Sequence, residues 1–233
     1  MLDEFAARQE AVEREPLLPN LAALLDQAEA RYGPRRLWVS VDDGASLTYG
    51  EFADLTRRCT AALASFGVDQ ARHVAVMLPS VPAFAITWMA LARLGAVMIP
   101  VNTRFTGREL DGALKDSDAE FLVVDREYLD VLRQIEGPAA SVAPERTIVH
   151  GEPVPGYANT WQAMVDAASP AGVPARNVDL DQLASIQFTS GSTSAPKGCM
   201  LSHRYWLVIG SVRWQQGPPV SRLLVDLPFH YMG

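Results

Sequence analysis

The chain has 233 residues, of which 48% are hydrophobic and 20% charged, ordinary values for one large or two small globular domains. Its 27 acidic and 20 basic residues give a net charge of −7, and without a Lys/Arg cluster it is a poor candidate for binding nucleic acid or an anionic membrane. The N-terminus lacks the apolar core of a signal peptide and the two cysteines stand alone, so we expect a cytoplasmic protein without disulfides.

Short Val- and Ile-rich runs alternate with helical patterns along the chain, beginning with LWVSV, HVAVML and AVMIPV. Runs without polar alternation are typical of strands buried on both faces, and strands that alternate with helices favour parallel pairing. We therefore predict a layered α/β/α fold with a largely parallel sheet, after a loosely docked lead-in over residues 1–20.

Two predicted helices begin with the same capping signal. Thr48 and Glu51 form a capping box before an apolar helical face, and Thr106 and Glu109 repeat it before LDGALKDS. Gly67 marks the end of the first of these helices. The apolar face of that helix is formed by Phe52, Leu55, Cys59, Leu63 and Phe66.

The longest apolar stretch, AFAITWMALARLGAVMIPV, is interrupted by Arg93, Gly95 and Pro100. These residues indicate a buried helix followed by a buried strand, so no membrane span is expected. Asn102 and Arg104, which follow that strand, are candidates for orienting a loop near a functional site.

A Pro/Gly-richer stretch over residues 137–177 is interpreted as a surface excursion that contains one short helix, NTWQAMVDAA. The chain is accordingly divided into a first α/β subdomain, 21–180, and a strand–loop–helix–strand segment, 181–233. The second segment stops at an apolar strand and a turn, LLVDLPFHYMG, without leaving the core. The chain is therefore interpreted as an N-terminal fragment of a longer protein.

The stretch QFTSGSTSAPKGCMLSH, residues 187–203, concentrates small hydrogen-bonding groups around Lys197. We predict a buried strand before it and a helix after it, with Ser202 at the N-cap. Its hydroxyls and the backbone N–H groups turned by Gly191 and Gly198 would donate to a polyphosphate, whose oxygens are all acceptors. The hydroxyl residues are Thr189, Ser190, Ser192, Thr193 and Ser194. A solvent-exposed connector without a ligand is the alternative.

This loop does not match the Walker phosphate motif, G-x-x-x-x-G-K-[ST]. Pro196 stands where the second glycine should precede the lysine, and Gly198 replaces the hydroxyl that would hold magnesium. Proline has no N–H to donate and fixes its own backbone, so the Walker wrap around a β-phosphate cannot form there. A kinase or GTPase of that type is therefore disfavoured.

The segment FTSGSTSAPKG, Phe188 to Gly198, resembles the phosphate loop of the adenylate-forming superfamily, [YF]-T-S-G-[ST]-T-[GS]-x-P-K-G. That superfamily comprises acyl-CoA synthetases, luciferases and the adenylation domains of peptide synthetases. Ser194 and the Asn-x-Arg after the proline lean toward acyl-CoA ligases, including the carnitine/crotonobetaine type. Three further stretches are similar in the same order: LTYGEFADLTRRCTAALASFGV, MALARLGAVMIPVNTRFTGREL and DLPFHYMG.

The resemblance implies activation of a carboxylic acid by ATP and Mg²⁺ to an acyl-adenylate, followed by transfer of the acyl group to coenzyme A. It implies that His230 lines the acyl pocket near the carboxylate, with Phe229 and Tyr231 as neighbours, and that Lys197 neutralises charge as pyrophosphate leaves. The residues that would hold the β- and γ-phosphates are Thr189, Ser190, Gly191, Ser192, Thr193 and Lys197, with Thr193 also at the metal. The superfamily's adenine, ribose and remaining catalytic groups would lie beyond Gly233, so we expect these 233 residues to be inactive alone.

The histidines outside the PFH element are given structural interpretations. His203, in the first turn of a helix, is expected to be neutral, because a helix N-terminus disfavours a cation. His73 and His150 flank predicted strands without metal-like spacing, and both are expected to be solvated.

Three further side chains near the loop are also assigned to packing. Cys199 is expected to be a small buried residue, because no histidine partner that would make it a nucleophile is near in sequence. Trp206 and Trp214 are two helical turns apart and are expected in the core or the acyl pocket.

Two other functions stay open. An adenylation module would deliver the acyl group to a carrier protein, and a carrier domain encoded downstream would distinguish it. A non-catalytic protein that binds nucleotide or a partner would instead show a genuine stop codon after residue 233. The sequence does not specify the acid, and the apolar C-terminus would favour association between copies of the chain.

Overall fold

The computed structural model describes residues 16–135, 143–172, 176–189, 197–216, 225, 228 and 229. Its helices, in chain order, are α1 (Leu21–Tyr32), α2 (Tyr49–Ser65), α3 (Pro82–Leu94), α4 (Gly107–Asp116), α5 (Leu129–Leu132), α6 (Trp161–Ala167) and α7 (His203–Gln216). Its strands are β1 (Arg36–Val39), β2 (Ser46–Thr48), β3 (His73–Met77), β4 (Val97–Pro100), β5 (Phe121–Asp125), β6 (Thr147–His150), β7 (Asn159–Thr160), β8 (Leu183–Thr189) and β9 (Lys197–Ser202). Short 3₁₀ turns lie at Arg126–Tyr128, Pro144–Arg146 and Pro170–Gly172.

Within this part of the chain, seven strands form one sheet in the order β7–β6–β5–β3–β4–β8–β9. The pairs from β7 to β8 are parallel, and the last pair, β8 with β9, is antiparallel. A separate antiparallel pair joins β1 to β2. The predicted α/β fold with a largely parallel sheet is confirmed.

Alternate side chains of the central strands enter two different layers of the core, which is why these strands are apolar throughout. On β3, Val74 and Val76 pack in the cluster that includes α2 and α3, whereas Ala75 and Met77 pack in the cluster that includes α4. Helix α2 presents the predicted face to the first cluster, with Cys59 and Leu63 each 1% exposed. Each large apolar side chain buried in this way contributes about 1.5–3 kcal/mol.

Both predicted capping boxes are present. The hydroxyl of Thr48 accepts from the backbone N–H of Glu51 at 3.2 Å, and the Glu51 carboxylate accepts from the backbone N–H of Thr48 at 2.8 Å. Thr106 and Glu109 make the same exchange at the start of α4. These hydrogen bonds lower the pKa of both glutamates. Gly67, just after α2, has a φ of +102°, a conformation that glycine adopts without strain.

The longest apolar stretch forms helix α3 followed by strand β4, as predicted. Gly95 ends α3 in the left-handed conformation, with a φ of +68°. Arg93, in the last turn of α3, pairs with Asp26 of α1. Among the described helices, none combines the length and hydrophobicity needed to cross a bilayer.

The stretch interpreted as a surface excursion contributes a strand and a helix to the core. Strand β6 pairs with β5, and Ile148 is 2% exposed. The predicted short helix is α6, and the Nε1–H of Trp161 donates to the buried Thr87 hydroxyl at 2.9 Å. The neighbouring thiol of Cys59 is fully enclosed, and burial raises its pKa to about 12.

The expectation that His73 and His150 are solvated is wrong, because both rings are half-buried against protein groups. The Nδ1 atom of His150 lies 2.7 Å from Oδ2 of Asp125, its register partner on β5. The Nδ1 atom of His73 lies 2.6 Å from the carbonyl oxygen of Ser117. The partner of His150 comes from the neighbouring strand and that of His73 from the end of α4, and the local sequence reveals neither.

The interpretation of His203 as a neutral structural residue is supported by its environment. Its side chain is fully buried, and its Nδ1 atom accepts a hydrogen bond from the backbone N–H of Leu21, at the start of α1, at 3.2 Å. A ring nitrogen that accepts carries no proton, so the ring is neutral. Burial lowers the pKa of His203 to about 4. The hydrogen bond between its ring and the Leu21 N–H couples α1 to the start of α7.

We predict that the free energy of unfolding of the full-length protein falls as the pH drops from 6.5 toward 4. The unfolded state binds a proton at His203 near pH 6.5 and the folded state only near pH 4, so this contribution is complete above pH 6.5 and declines below it. A shift of this size corresponds to a loss of about 3 kcal/mol. Urea denaturation at a series of pH values measures it.

The control is His203→Asn, in which the amide oxygen can still accept from the Leu21 N–H but does not titrate. The difference in unfolding free energy between wild type and variant should change with pH over this window. A constant difference would contradict the prediction, because carboxylates that titrate near pH 4 are common to both proteins.

Candidate functional site

The hydroxyl-rich loop is the connection of an antiparallel hairpin. Thr189 is the last residue of β8 and pairs in register with Lys197, the first residue of β9. Both residues are exposed, so the Thr189 hydroxyl and the Lys197 ammonium are available at the base of the loop. The predicted phosphate-binding residues Ser190, Gly191, Ser192 and Thr193, the last also the predicted metal ligand, lie outside the described residues.

The segment after residue 196 differs from the prediction, in which the loop leads directly into the helix that begins after Ser202. Residues Lys197–Ser202 form strand β9 before α7 begins. Gly198 therefore does not turn a loop toward a ligand. It pairs with Phe188, and a Cβ at Gly198 would lie 2.8 Å from Cγ2 of Ile186, so the close approach of the two strands requires glycine.

The loop lies at the carboxyl edge of the parallel strands. Strands β4 and β5 lie on opposite sides of β3, so the chain passes from one side of β3 to the other between them. In open α/β sheets such a reversal of strand order leaves a crevice at the carboxyl ends, where ligands bind. The loop after β4 joins this edge, and there the Asn102 side chain accepts from the backbone N–H of Arg104 at 2.9 Å.

Phe229, in the stretch DLPFHYMG that resembles the superfamily, lies at the same edge. The backbone N–H of Phe229 donates to the Ser80 hydroxyl, in the segment just after β3, at 3.2 Å. Its ring lies 5.4 Å from that of Phe84 on α3 and 5.5 Å from that of Trp38, between centroids. His230 and Tyr231 lie outside the described residues.

Helix α7 begins as predicted and packs beside β8. The Ser202 hydroxyl accepts from the backbone N–H of Tyr205 at 3.3 Å, which confirms Ser202 as the N-cap. Trp206 packs edge-on against Trp88 of α3, with ring centroids 5.0 Å apart. The side chain of Trp214 lies outside the described residues.

The structure corrects one prediction near the loop and reveals one buried polar side chain that the sequence interpretation did not consider. Cys199 is exposed on β9, not buried, because both faces of the first four residues of this strand are uncovered in the described structure. Gln187, two residues before Thr189, is 8% exposed. The only signal for it in the sequence is an amide between the apolar residues Ile186 and Phe188. Among the described residues, no cluster of His, Cys, Asp and Glu could hold a metal ion.

These features define the class of protein. It is an α/β protein in which a segment rich in hydroxyl residues, with one lysine at its end, connects two antiparallel strands at the carboxyl edge of the sheet. The sequence profile of the AMP-binding enzymes matches residues 25–232, and the chain belongs to that family. The predicted relationship to adenylate-forming enzymes is confirmed.

Two curated relatives illustrate the similarity. The 4-coumarate–CoA ligase-like 9 of Oryza sativa subsp. japonica is 33% identical over 184 residues, covering 78% of this chain and 32% of that protein. The feruloyl-CoA synthase of an Amycolatopsis species is 34% identical over 173 residues, covering 73% of this chain and 30% of that protein. The chain thus spans about a third of the length of these relatives.

A solved structure shows the same fold. The anthranilate CoA ligase AuaEII, crystallised with anthranoyl-AMP, matches with a TM-score of 0.74 at 21% sequence identity. The match covers 83% of this chain and 36% of that one.

Proposed function

We propose that the full-length protein is an ATP-dependent ligase that activates a carboxylic acid as its acyl-adenylate and transfers the acyl group to coenzyme A. The observation that carries the proposal is the hairpin loop between Thr189 and Lys197, at the carboxyl edge of the sheet, in a chain of the AMP-binding enzyme family. The relatives named above are a CoA ligase-like protein and a CoA synthase, which supports coenzyme A as the acceptor.

The described flanks of the loop suit a nucleotide polyphosphate. Thr189 supplies a hydroxyl donor and Lys197 a cation, and both are exposed. Phosphate oxygens accept hydrogen bonds and carry negative charge, so these two groups are complementary to them. The proposed role of the loop is to hold the β- and γ-phosphates through Thr189, Ser190, Gly191, Ser192, Thr193 and Lys197.

The reaction joins three substrates in two steps. A carboxylate oxygen attacks the α-phosphorus of ATP, and pyrophosphate leaves with the electron pair of the broken P–O bond. The thiolate of coenzyme A then attacks the acyl carbon, and AMP leaves with the former carboxylate oxygen. Negative charge accumulates on the phosphates in the first step, and fixed donors with a lysine lower that barrier.

Two further roles belong to this proposal. Magnesium, when bound, would neutralise charge on the phosphates, with the Thr193 hydroxyl as its protein contact. His230 would line the acyl pocket beside the carboxylate. The contact of Phe229 with Ser80 supports this role, because it holds the preceding residue at the carboxyl edge of β3.

Carboxylate-dependent exchange of pyrophosphate into ATP, measured with the full-length protein and magnesium over a panel of acids, tests the proposal. We expect exchange with at least one acid, and acid-dependent consumption of coenzyme A once it is added. Exchange that stops at the adenylate, with the acyl group passed only to a carrier protein, would contradict the choice of acceptor. The 233-residue chain alone is expected to show no exchange, because it spans only about a third of its relatives.

A further inference from the structure

Ser80 lies in a short, rigid turn between β3 and α3. The backbone N–H of Val81 donates to the carbonyl oxygen of Pro79 at 2.8 Å, which closes a γ-turn with Ser80 at its centre. Pro79 and Pro82 each fix their own φ, and Pro82 also restricts Val81 to the extended conformation that it adopts, with a φ of −110° and a ψ of 160°. The backbone of Ser80 is therefore held in place just beyond the carboxyl end of β3.

The side chain of Ser80 anchors a backbone group from the other end of the chain. Its hydroxyl oxygen accepts from the backbone N–H of Phe229 at 3.2 Å. Phe229 directly precedes His230, and consecutive Cα atoms are about 3.8 Å apart. Fixing the nitrogen of Phe229 therefore restricts where the backbone of His230 can lie.

The ring of Phe229 is held by two further contacts from separate elements. It lies 5.4 Å from the ring of Phe84, on α3, and meets the ring of Trp38, on β1, edge-on at 5.5 Å. Both separations are in the range that aromatic pairs favour. Phe229 is thus fixed through its ring and through its main chain, and Ser80 supplies the main-chain contact. Loss of the Ser80 hydroxyl would leave the ring contacts in place and release only the backbone that leads to His230.

We propose that Ser80 is a positioning residue for the acyl pocket, because its hydrogen bond with Phe229 sets the position of His230 beside the carboxylate of the acid. This inference rests on the proposed function, in which His230 lines that pocket. Ser80 acts through His230 and is assigned no contact with the substrate. The phosphates of ATP belong to the loop after β8, and β4 lies between β3 and β8. Ser80 should therefore influence the use of the acid and not the binding of ATP.

The first test separates the two substrates in the full-length protein. Ser80→Ala removes the acceptor and should lower kcat/KM for the acid by about tenfold, the size expected for the loss of one neutral hydrogen bond. KM for ATP should be unchanged. Ser80→Thr keeps the hydroxyl and should restore most of the activity. Pyrophosphate release, with the acid or ATP varied in turn, measures these constants.

A double-mutant cycle tests whether Ser80 acts through His230. It is measured as adenylate formation in a single turnover, with enzyme in excess over labelled acid, so that a slow variant can still be followed. In a His230→Ala background, Ser80→Ala should change the rate by less than about twofold. The full tenfold loss in both backgrounds would show that Ser80 acts independently of His230 and would overturn the inference.

A matched serine and a stability measurement distinguish positioning from a general structural role. Ser65 is exposed at the end of α2, before β3 begins, and thus lies toward the opposite edge of the sheet from Ser80. Ser65→Ala should leave both kinetic constants unchanged. The hydrogen bond between Ser80 and Phe229 is exposed, so Ser80→Ala should have the same urea midpoint of unfolding as wild type. A clear fall in that midpoint, with equal losses toward the acid and ATP, would contradict the proposed role.

Failure of the inference and failure of the proposed function give different results. If wild type is active and Ser80→Ala matches it, the positioning role of Ser80 is wrong and the proposed ligase activity stands. If no acid of the panel supports pyrophosphate exchange in wild type, the proposed function fails and the inference fails with it.

Discussion

Replacing Lys197 with alanine in the full-length protein is expected to lower kcat/KM for adenylate formation by about 100-fold or more. Lys197 carries the positive charge at the base of the loop, opposite Thr189. Charge on the departing pyrophosphate develops in the transition state, so the loss should appear in kcat as well as in KM. Pyrophosphate release at saturating and limiting ATP measures both constants.

The structure provides an unusually direct control, because the chain contains one other lysine, Lys115. It lies on α4, where its ammonium pairs with Asp111 one turn earlier. Lys115→Ala removes the same charge and should leave both kinetic constants nearly unchanged. Lys197 is exposed, so the urea concentration at the midpoint of unfolding should be the same for Lys197→Ala as for wild type. Equal activity of the two variants would show that Lys197 does not act on the phosphates.

The second large effect concerns the core beneath the site. Phe84 is 1% exposed on α3 and packs in the core cluster, and its ring also contacts that of Phe229. Phe84→Ala should lower the free energy of unfolding by about 3–5 kcal/mol, because it loses the buried ring and leaves a cavity. Urea denaturation of the full-length protein, followed by tryptophan fluorescence, measures the change.

Two comparisons make this result interpretable. Phe84→Leu keeps most of the apolar volume and should cost less than half as much. Leu24→Ala removes a side chain that is 43% exposed on α1 and should cost well under 1 kcal/mol. A cost for Phe84→Ala as small as that for Leu24→Ala would contradict the close packing at this position.

The rate of adenylation by Phe84→Ala should also fall at temperatures where the variant is still folded, because the ring of Phe229, the residue before His230, loses its contact with Phe84.

Much of the fold was predictable because its signals are local. The capping boxes at Thr48 and Thr106 each involve residues three positions apart, and both helices begin where those boxes indicate. The apolar runs predicted buried parallel strands, because a strand covered on both faces has no polar side to display. Ser202 as N-cap was predictable for the same reason.

The candidate site was predictable in part. The motif from Phe188 to Gly198 identified the family and the position of the loop in the chain. It did not reveal strand β9, because that strand exists only through its pairing with β8. The roles of Ser190, Gly191, Ser192, Thr193 and His230 stay predictions, since these residues lie outside the described structure.

The sequence by itself determined the helix starts, the class of fold and the family, because each is written in residues that are neighbours along the chain. Only the tertiary structure decided which polar side chains are enclosed and which are free. His150 gains a partner from the adjacent strand, Cys199 is left exposed on the last strand, and Gln187 is buried with a side-chain N–H group that no described residue accepts. Burial and hydrogen-bond satisfaction depend on groups that come together from distant parts of the chain, and no local pattern records them.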